Sequence, residues 1–199
     1  MRSFAKSYTF LRRSDMGKKK HIPKLRFREF YGEWEIKLLS QIAEKSSKKN
    51  KDKKVTDVFT NSAIHGIVNQ RDYFDKDIAN QKNLLDYYIV DSNDFVYNPR
   101  ISENAPVGPM RRNHNDTGVM SPLYTVIRFK ACDLDFIEHY FLTNHWHSYM
   151  ELIANYGARA DRMSIRTEQL FKMPISLPTL PEQKKIADFL SAIDERIEY

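Results

Sequence analysis

The sequence holds one cysteine, Cys132, and six glycines in 199 residues. A single thiol excludes an internal disulfide and any zinc site built from several cysteines. The glycines fall at 17, 32, 66, 108, 118 and 157, never close enough for a G-x-G-x-x-G motif or a P-loop. A glycine cradle for a nucleotide phosphate is therefore absent. No apolar run approaches the ~20 residues that span a bilayer, and the start of the chain lacks the apolar core of a signal peptide. A reducing, cytoplasmic location without a membrane partner is the expectation.

What is present can bury a core. Hydrophobic residues make up 41% of the chain and aromatics 13%, enough at this length for one domain with an appendage. The net charge of +6 is unevenly spread. Residues 1–54 carry 17 Lys+Arg against 6 Asp+Glu, a balance of +11, and residues 55–199 carry 15 against 20, a balance of −5. Local basicity of this kind suits a polyanion such as DNA, because cations near phosphates release condensed counterions. The same lysine runs also fit an ordinary solvated face.

Enzyme motifs are missing where they would be expected. His139, His145 and His147 lack the H-E-x-x-H spacing of a zinc enzyme and read as packing or surface histidines. Asn98-Pro99-Arg100 resembles the Asn-Pro-Pro-aromatic motif of adenine methyltransferases, but the second proline and the aromatic are missing. Asp72, Asp75 and Asp77 have no accompanying lysine motif and read as surface carboxylates. No catalytic residue, metal ligand or cofactor is expected from these patterns. A fragment of a DNA methyltransferase or nuclease is the alternative, and a stand-alone DNA-binding regulator another.

Periodicity divides the chain. Residues 1–21 show no period and read as a flexible basic leader, and residues 34–44 place Trp34, Leu38, Ile42 and Ala43 on one face of a short helix. Short runs rich in Val, Ile, Tyr and Phe at 55–60, 64–68, 87–90, 94–97 and 123–129 are strand text. Residues 133–156 carry the stripe of one long amphipathic helix. A short helix near 167–171 and an extended, proline-bearing linker at 173–181 follow. The pattern Thr179-x-x-Glu182 then reads as a capping box opening a last helix. Ile186, Phe189, Leu190, Ile193 and Ile197 form its apolar stripe, which calls for a partner helix and is still running at Tyr199. The fold class is thus α+β: a mixed sheet with helices over 22–174, a linker at 175–180 and a projecting, coiled-coil-type helix over 181–199.

Four segments resemble one known family. Pro23-Lys-Leu-Arg-Phe-Arg-Glu-Phe with Trp34-Glu35 is similar to its opening, and Gly66-Ile-Val-Asn-Gln70 to an early turn and strand. Gly118-Val-Met-Ser-Pro-Leu-Tyr124 is similar to its mid-domain signature. Leu177-Pro-Thr-Leu-Pro-Glu-Gln-Lys-Lys-Ile-Ala-Asp-Phe-Leu190 is similar to the junction into its spacer helix. In this order they resemble the specificity subunits of type I restriction-modification enzymes. The resemblance implies a half-length subunit with one target-recognition domain and the beginning of one dimerisation or spacer helix. It also implies recognition of double-stranded DNA without chemistry, beside partner methyltransferase and restriction subunits. Self-association, or pairing with a second specificity half, would run through the C-terminal helix.

A DNA reader needs cations and N–H groups for phosphates, and Arg, Asn, Gln or Ser at loop tips for base edges. Candidate base-reading or positioning residues are Asn61, Ser62, Gln70, Arg71, Asn98, Arg100, Arg111 and Arg112. The loop 157–164 supplies Arg159, Arg162 and Ser164 and is the preferred reader, since two arginines lie between a glycine and a helix start. Lys51, Lys53 and Lys54 are the phosphate candidates.

Overall fold

The structure is a computed structural model that describes residues 22–73, 81–156 and 161–197; the leader expected over 1–21 lies outside the described residues. The chain lays down β1 (Glu35–Leu38), the one-turn helix α1 (Leu39–Ile42) and β2 (Ala43–Ser46). The hairpin β3 (Phe59–Ser62) and β4 (Gly66–Asn69) runs into the short helix α2 (Gln70–Tyr73). A 3-10 turn at Gln81–Asp86 precedes β5 (Tyr88–Val90), β6 (Phe95–Tyr97), β7 (Met110–Arg112), β8 (Gly118–Met120) and β9 (Thr125–Phe129). Helices α3 (Leu134–Leu142) and α4 (His147–Ile153) come next, followed by the two-residue strands β10 (Asn155–Tyr156) and β11 (Met163–Ser164). Helix α5 (Thr167–Leu170), strand β12 (Pro174–Leu177) and helix α6 (Leu180–Ile197) end the described chain.

The central sheet is antiparallel, in the order β2, β9, β6, β7. Side chains alternate across a strand, and here both faces are apolar. Phe95, Tyr97, Ile127 and Phe129 join a cluster with Leu39, Phe136, Ile137, Phe141, Trp146 and Met150. Val96 and Val126 point the other way, to Phe59, Ile67, Val90 and Met120. Helices therefore cover one face of the sheet, and the β3–β4 and β5–β8 ladders cover the other. An isolated parallel bridge, Val58 to Val119, stitches the second layer. The α+β class expected from the sequence is observed.

Residues 110–112 and 163–164, read as loop, are strands β7 and β11, and three further stretches differ from their sequence reading. Residues 34–44, expected as a helix, hold two strands around a single turn. Strand β1 is claimed by β12, with Glu35 opposite Leu177 and Leu38 opposite Pro174. Strand β2 is claimed by β9. The same pairing makes a strand of residues 174–177 in what reads as linker, burying Ile175 and Leu177. The helix expected over 133–156 is broken between α3 and α4. There the Trp146 indole donates to the Phe141 and Thr143 carbonyls at 3.2 and 2.9 Å, and Thr143 Oγ1 donates to the Tyr140 carbonyl.

The first turns of α6 are seated on the domain. Glu182 is fully buried and does not close a capping box: it accepts two hydrogen bonds of 2.7 Å from Arg26 and one of 3.2 Å from the Trp34 indole. Gln183 donates to the Pro178 carbonyl and accepts from the Asp133 amide. Ala187 is buried and Ile186 packs against the main cluster, while Phe189, Ile193 and Ile197 are exposed. Phe189 meets Phe27 edge-on, and His139 of α3 hydrogen-bonds Ser191 at 3.1 Å. Among the described residues no helix is long and apolar enough to cross a membrane.

Candidate nucleic-acid interface

The polar candidates divide between the two ends of the β3–β4 hairpin. At the tip end, Asn61 is buried and donates to the Val96 and Pro109 carbonyls at 2.7 and 3.3 Å. Asn98, also buried, donates to the Asn61 carbonyl and accepts from the Arg100 amide. Gly108 lets this corner close: at φ +79, a Cβ there would collide with the Asn98 carbonyl. The two asparagines thus fix backbone.

Three arginines gather at this corner. Arg100 bridges to Arg162 by backbone pairing, and their guanidinium groups share Asp161, at 3.7 and 3.8 Å. Arg111, one strand over, donates through Nη2 to the Ala63 carbonyl at 2.7 Å. Burial pushes the Arg111 guanidinium pKa down, only partly opposed by Glu138 at longer range. By contrast Arg112, on the opposite face of β7, is spent on Asp135, Glu138 and Asn93. Arg128 is likewise bound by Asp91 and Asp94. Ser62 and the exposed Ser164 complete the polar set near the corner, Ser164 opposite Asn155 in the β10–β11 ladder. Arg159 lies outside the described residues, as do residues 157–160 of the loop.

At the other end of the hairpin, Gln70 donates through its side chain to the Phe59 carbonyl and through its backbone amide to the Val58 carbonyl. Arg71 is exposed beside it on α2. The turn 51–54 leads into this end and is shaped by Asn50, fully buried, whose side chain clasps both the N–H and the carbonyl of Val55. Lys53 takes a left-handed φ of +54 in that turn. Lys51, Lys53 and Lys54 are exposed, Lys54 within 3.1 Å of Asp52. Asn50 is a residue that sequence reading missed; an Asn opening a lysine-rich turn was the available signal.

Among the described residues, five buried side-chain atoms have no hydrogen-bond partner from the protein: Asn61 Oδ1, Gln70 Oε1, Arg111 Nε, Arg162 Nε and Gln169 Oε1. Four of the five belong to the candidate interface. Buried polar atoms are normally paired, so these four mark places where the hydrogen-bond network among the described residues is incomplete. Metal-type clusters of His, Cys, Asp or Glu are not found among the described residues. His139 and His147 pack on α6 and Trp146 instead, burial lowering the His147 pKa, while His145 is exposed in the break between α3 and α4.

Comparison with known proteins adds a family. The model described as "Type I restriction modification DNA specificity domain" matches residues 31–199. No curated protein is significantly similar in sequence. Among solved structures, the HsdS subunit from Thermoanaerobacter tengcongensis superposes with a TM-score of 0.56 at 14% identity, over 83% of this chain and 43% of that one. The type I restriction-modification S subunit from M. genitalium gives 0.55 at 17% identity, over 88% and 42%. A chain from a structure on assembly and conformational transition of the type I R-M system gives 0.57 at 13%, over 83% and 43%. At these identities the likeness is one of fold, and the chain spans less than half the length of each structure.

Proposed function

Because the chain belongs to the type I restriction-modification DNA specificity domain family, we propose that it reads a DNA sequence as one half of a specificity subunit, leaving methylation and cleavage to partner subunits. The observation that carries this reading is the corner formed by Asn98, Arg100, Arg111 and Arg162. Among the described residues its three guanidinium groups have one ion-pair carboxylate, Asp161, with Glu138 acting on Arg111 only at longer range. Phosphate oxygens and guanine edges are acceptors that suit such donors.

Division of labour follows from position. Lys51, Lys53 and Lys54, exposed on a fixed turn, hold phosphates and set affinity without reading sequence. Arg100, Arg111, Arg162 and Ser164 fix register or address bases with Ser62 beside them, and Gln70 and Arg71 contribute from the other end of the hairpin. Residues 22–174 act as the recognition unit, and the helix from 181 onward joins it to a second half or to the methyltransferase subunits. The work is done in the cytoplasm, on double-stranded DNA.

Co-expression of the chain with type I methyltransferase subunits in a host lacking other modification tests this, with methylated bases mapped across the host genome. Methylation confined to one sequence motif, and lost when Arg100, Arg111 and Arg162 are together changed to Ala, is expected. Methylation by the purified chain alone, or a metal-dependent cut by it, would overturn the reading in favour of an enzyme fragment.

A further inference from the structure

Ile64 and His65 stand at the tip of the β3–β4 hairpin, and Ile64 is 66% exposed. A single exposed aliphatic side chain is common and by itself needs no explanation. This one differs in how firmly its backbone is held. Ser62 Oγ accepts from the amides of Ile64 and His65 at 3.3 and 3.2 Å. Arg111 grips the Ala63 carbonyl from β7, and Asn61 anchors the strand below to Val96 and Pro109. Gly66, at φ +69, turns the chain back into β4. The His65 ring meets Tyr73 of α2 edge-on, with centroids 5.7 Å apart. Contacts from several elements therefore fix a turn whose most prominent side chain is apolar.

One cation touches the tip, and the backbones of two more are linked to it. Arg111 holds it directly, and Arg100 and Arg162 connect to it through Asn98 and Asn61. Asp161 is the carboxylate paired with the latter two, and among the described residues Arg111 has no ion-pair partner. A rigid apolar tip flanked by under-neutralised guanidinium groups matches a surface that is anionic at its rims and apolar at one point within. Duplex DNA offers that combination: the thymine methyl is the apolar group on a major-groove edge, and the groove, about 12 Å wide, admits a two-stranded ribbon.

We infer that the β3–β4 tip enters the major groove of double-stranded DNA, with Ile64 against a thymine methyl and Arg100, Arg111 and Arg162 on the DNA around it. The inference rests on the DNA-reading function proposed above and adds a specificity-determining residue, Ile64, together with the base pair it selects, T·A.

The test uses the full chain assembled with its methyltransferase partners, and a duplex enriched by that assembly from a random-sequence pool. Each thymine is replaced singly by deoxyuridine, which removes only the methyl group. One replacement should weaken wild-type binding about fourfold, the effect of one buried methyl. Ile64→Ala should abolish that difference, whereas Leu152→Ala, equally exposed at 66% on α4, should retain it. If no thymine replacement matters, or if Ile64→Ala keeps the full discrimination, the tip does not read a methyl and the inference fails while DNA reading stands. An acidic protein as the true occupant would give that same result. A wild-type assembly that enriches no sequence from the pool overturns both the inference and the function beneath it.

Discussion

Arg112 and Arg162 look alike in the sequence and differ in their partners. Arg112 ties β7 to α3 through Asp135 and Glu138, so Arg112→Ala should lower thermal stability and leave base preference unchanged. Arg162→Ala should instead cost ~1–3 kcal/mol on the target, with relaxed preference at one base pair, read by competition at fixed salt. Lys51, Lys53 and Lys54 changed together to Ala should weaken binding to all DNA alike, each lost phosphate contact removing ~0.9 from the slope of log K against log salt. Cys132 offers a check on packing rather than function: burial pushes its thiol pKa up to about 11. The attacking species is the thiolate, so alkylation should be slow at pH 8 and accelerate as the pH approaches 11. Rapid alkylation at pH 8 would mean that the region around α3 is looser than described. At this scale the sequence showed which residues were polar, but not which were consumed. Asn61 and Asn98 are spent on carbonyls at least 35 and 37 residues away, and no local pattern announces such partners.

Helix α6 has two parts with different dependence on the domain. Ala187, 1% exposed, faces the main cluster, so Ala187→Glu should unseat the helix and destabilise the domain by at least the ~1–3 kcal/mol of overpacking. Phe189 and Ile193 are 53% and 38% exposed. Changing both to Asp should leave the melting temperature of the domain within a few degrees and abolish association, measured by sedimentation, with a second copy or with partner subunits. Association that survives the double change would place the interface elsewhere. The apolar stripe of α6 was legible because a helix repeats every 3.6 residues, and the strands at 59–62, 66–69, 88–90, 95–97 and 125–129 were legible from short β-branched and aromatic runs. Strands β1, β2 and β12 were not, since each owes its conformation to a distant partner: Glu35 pairs with Leu177, and Ala43 with Phe129. The break between α3 and α4 was hidden for a related reason, as a Trp146 side chain, not a proline or glycine, supplies it.

Across the whole molecule, a sheet buried on both faces carries a polar corner on one side of the hairpin and a lysine turn at its other end. The family was legible from ordered segments, since the motif over 177–190 builds the junction where Glu182 and Gln183 lock α6 to Arg26, Trp34, Asp133 and Pro178. The target bases were not legible, because which side chain meets which base depends on how the corner docks. The central claim is sequence-specific recognition, and the most direct measurement is the ratio of affinities for an enriched duplex and its scrambled counterpart. It should be made on the chain with its methyltransferase partners at one fixed, near-physiological salt concentration. A ratio of about 10³ or more, reduced sharply by Arg162→Ala but not by the triple lysine change, is the predicted result. A ratio near one, with affinity that merely falls as salt rises, would contradict it.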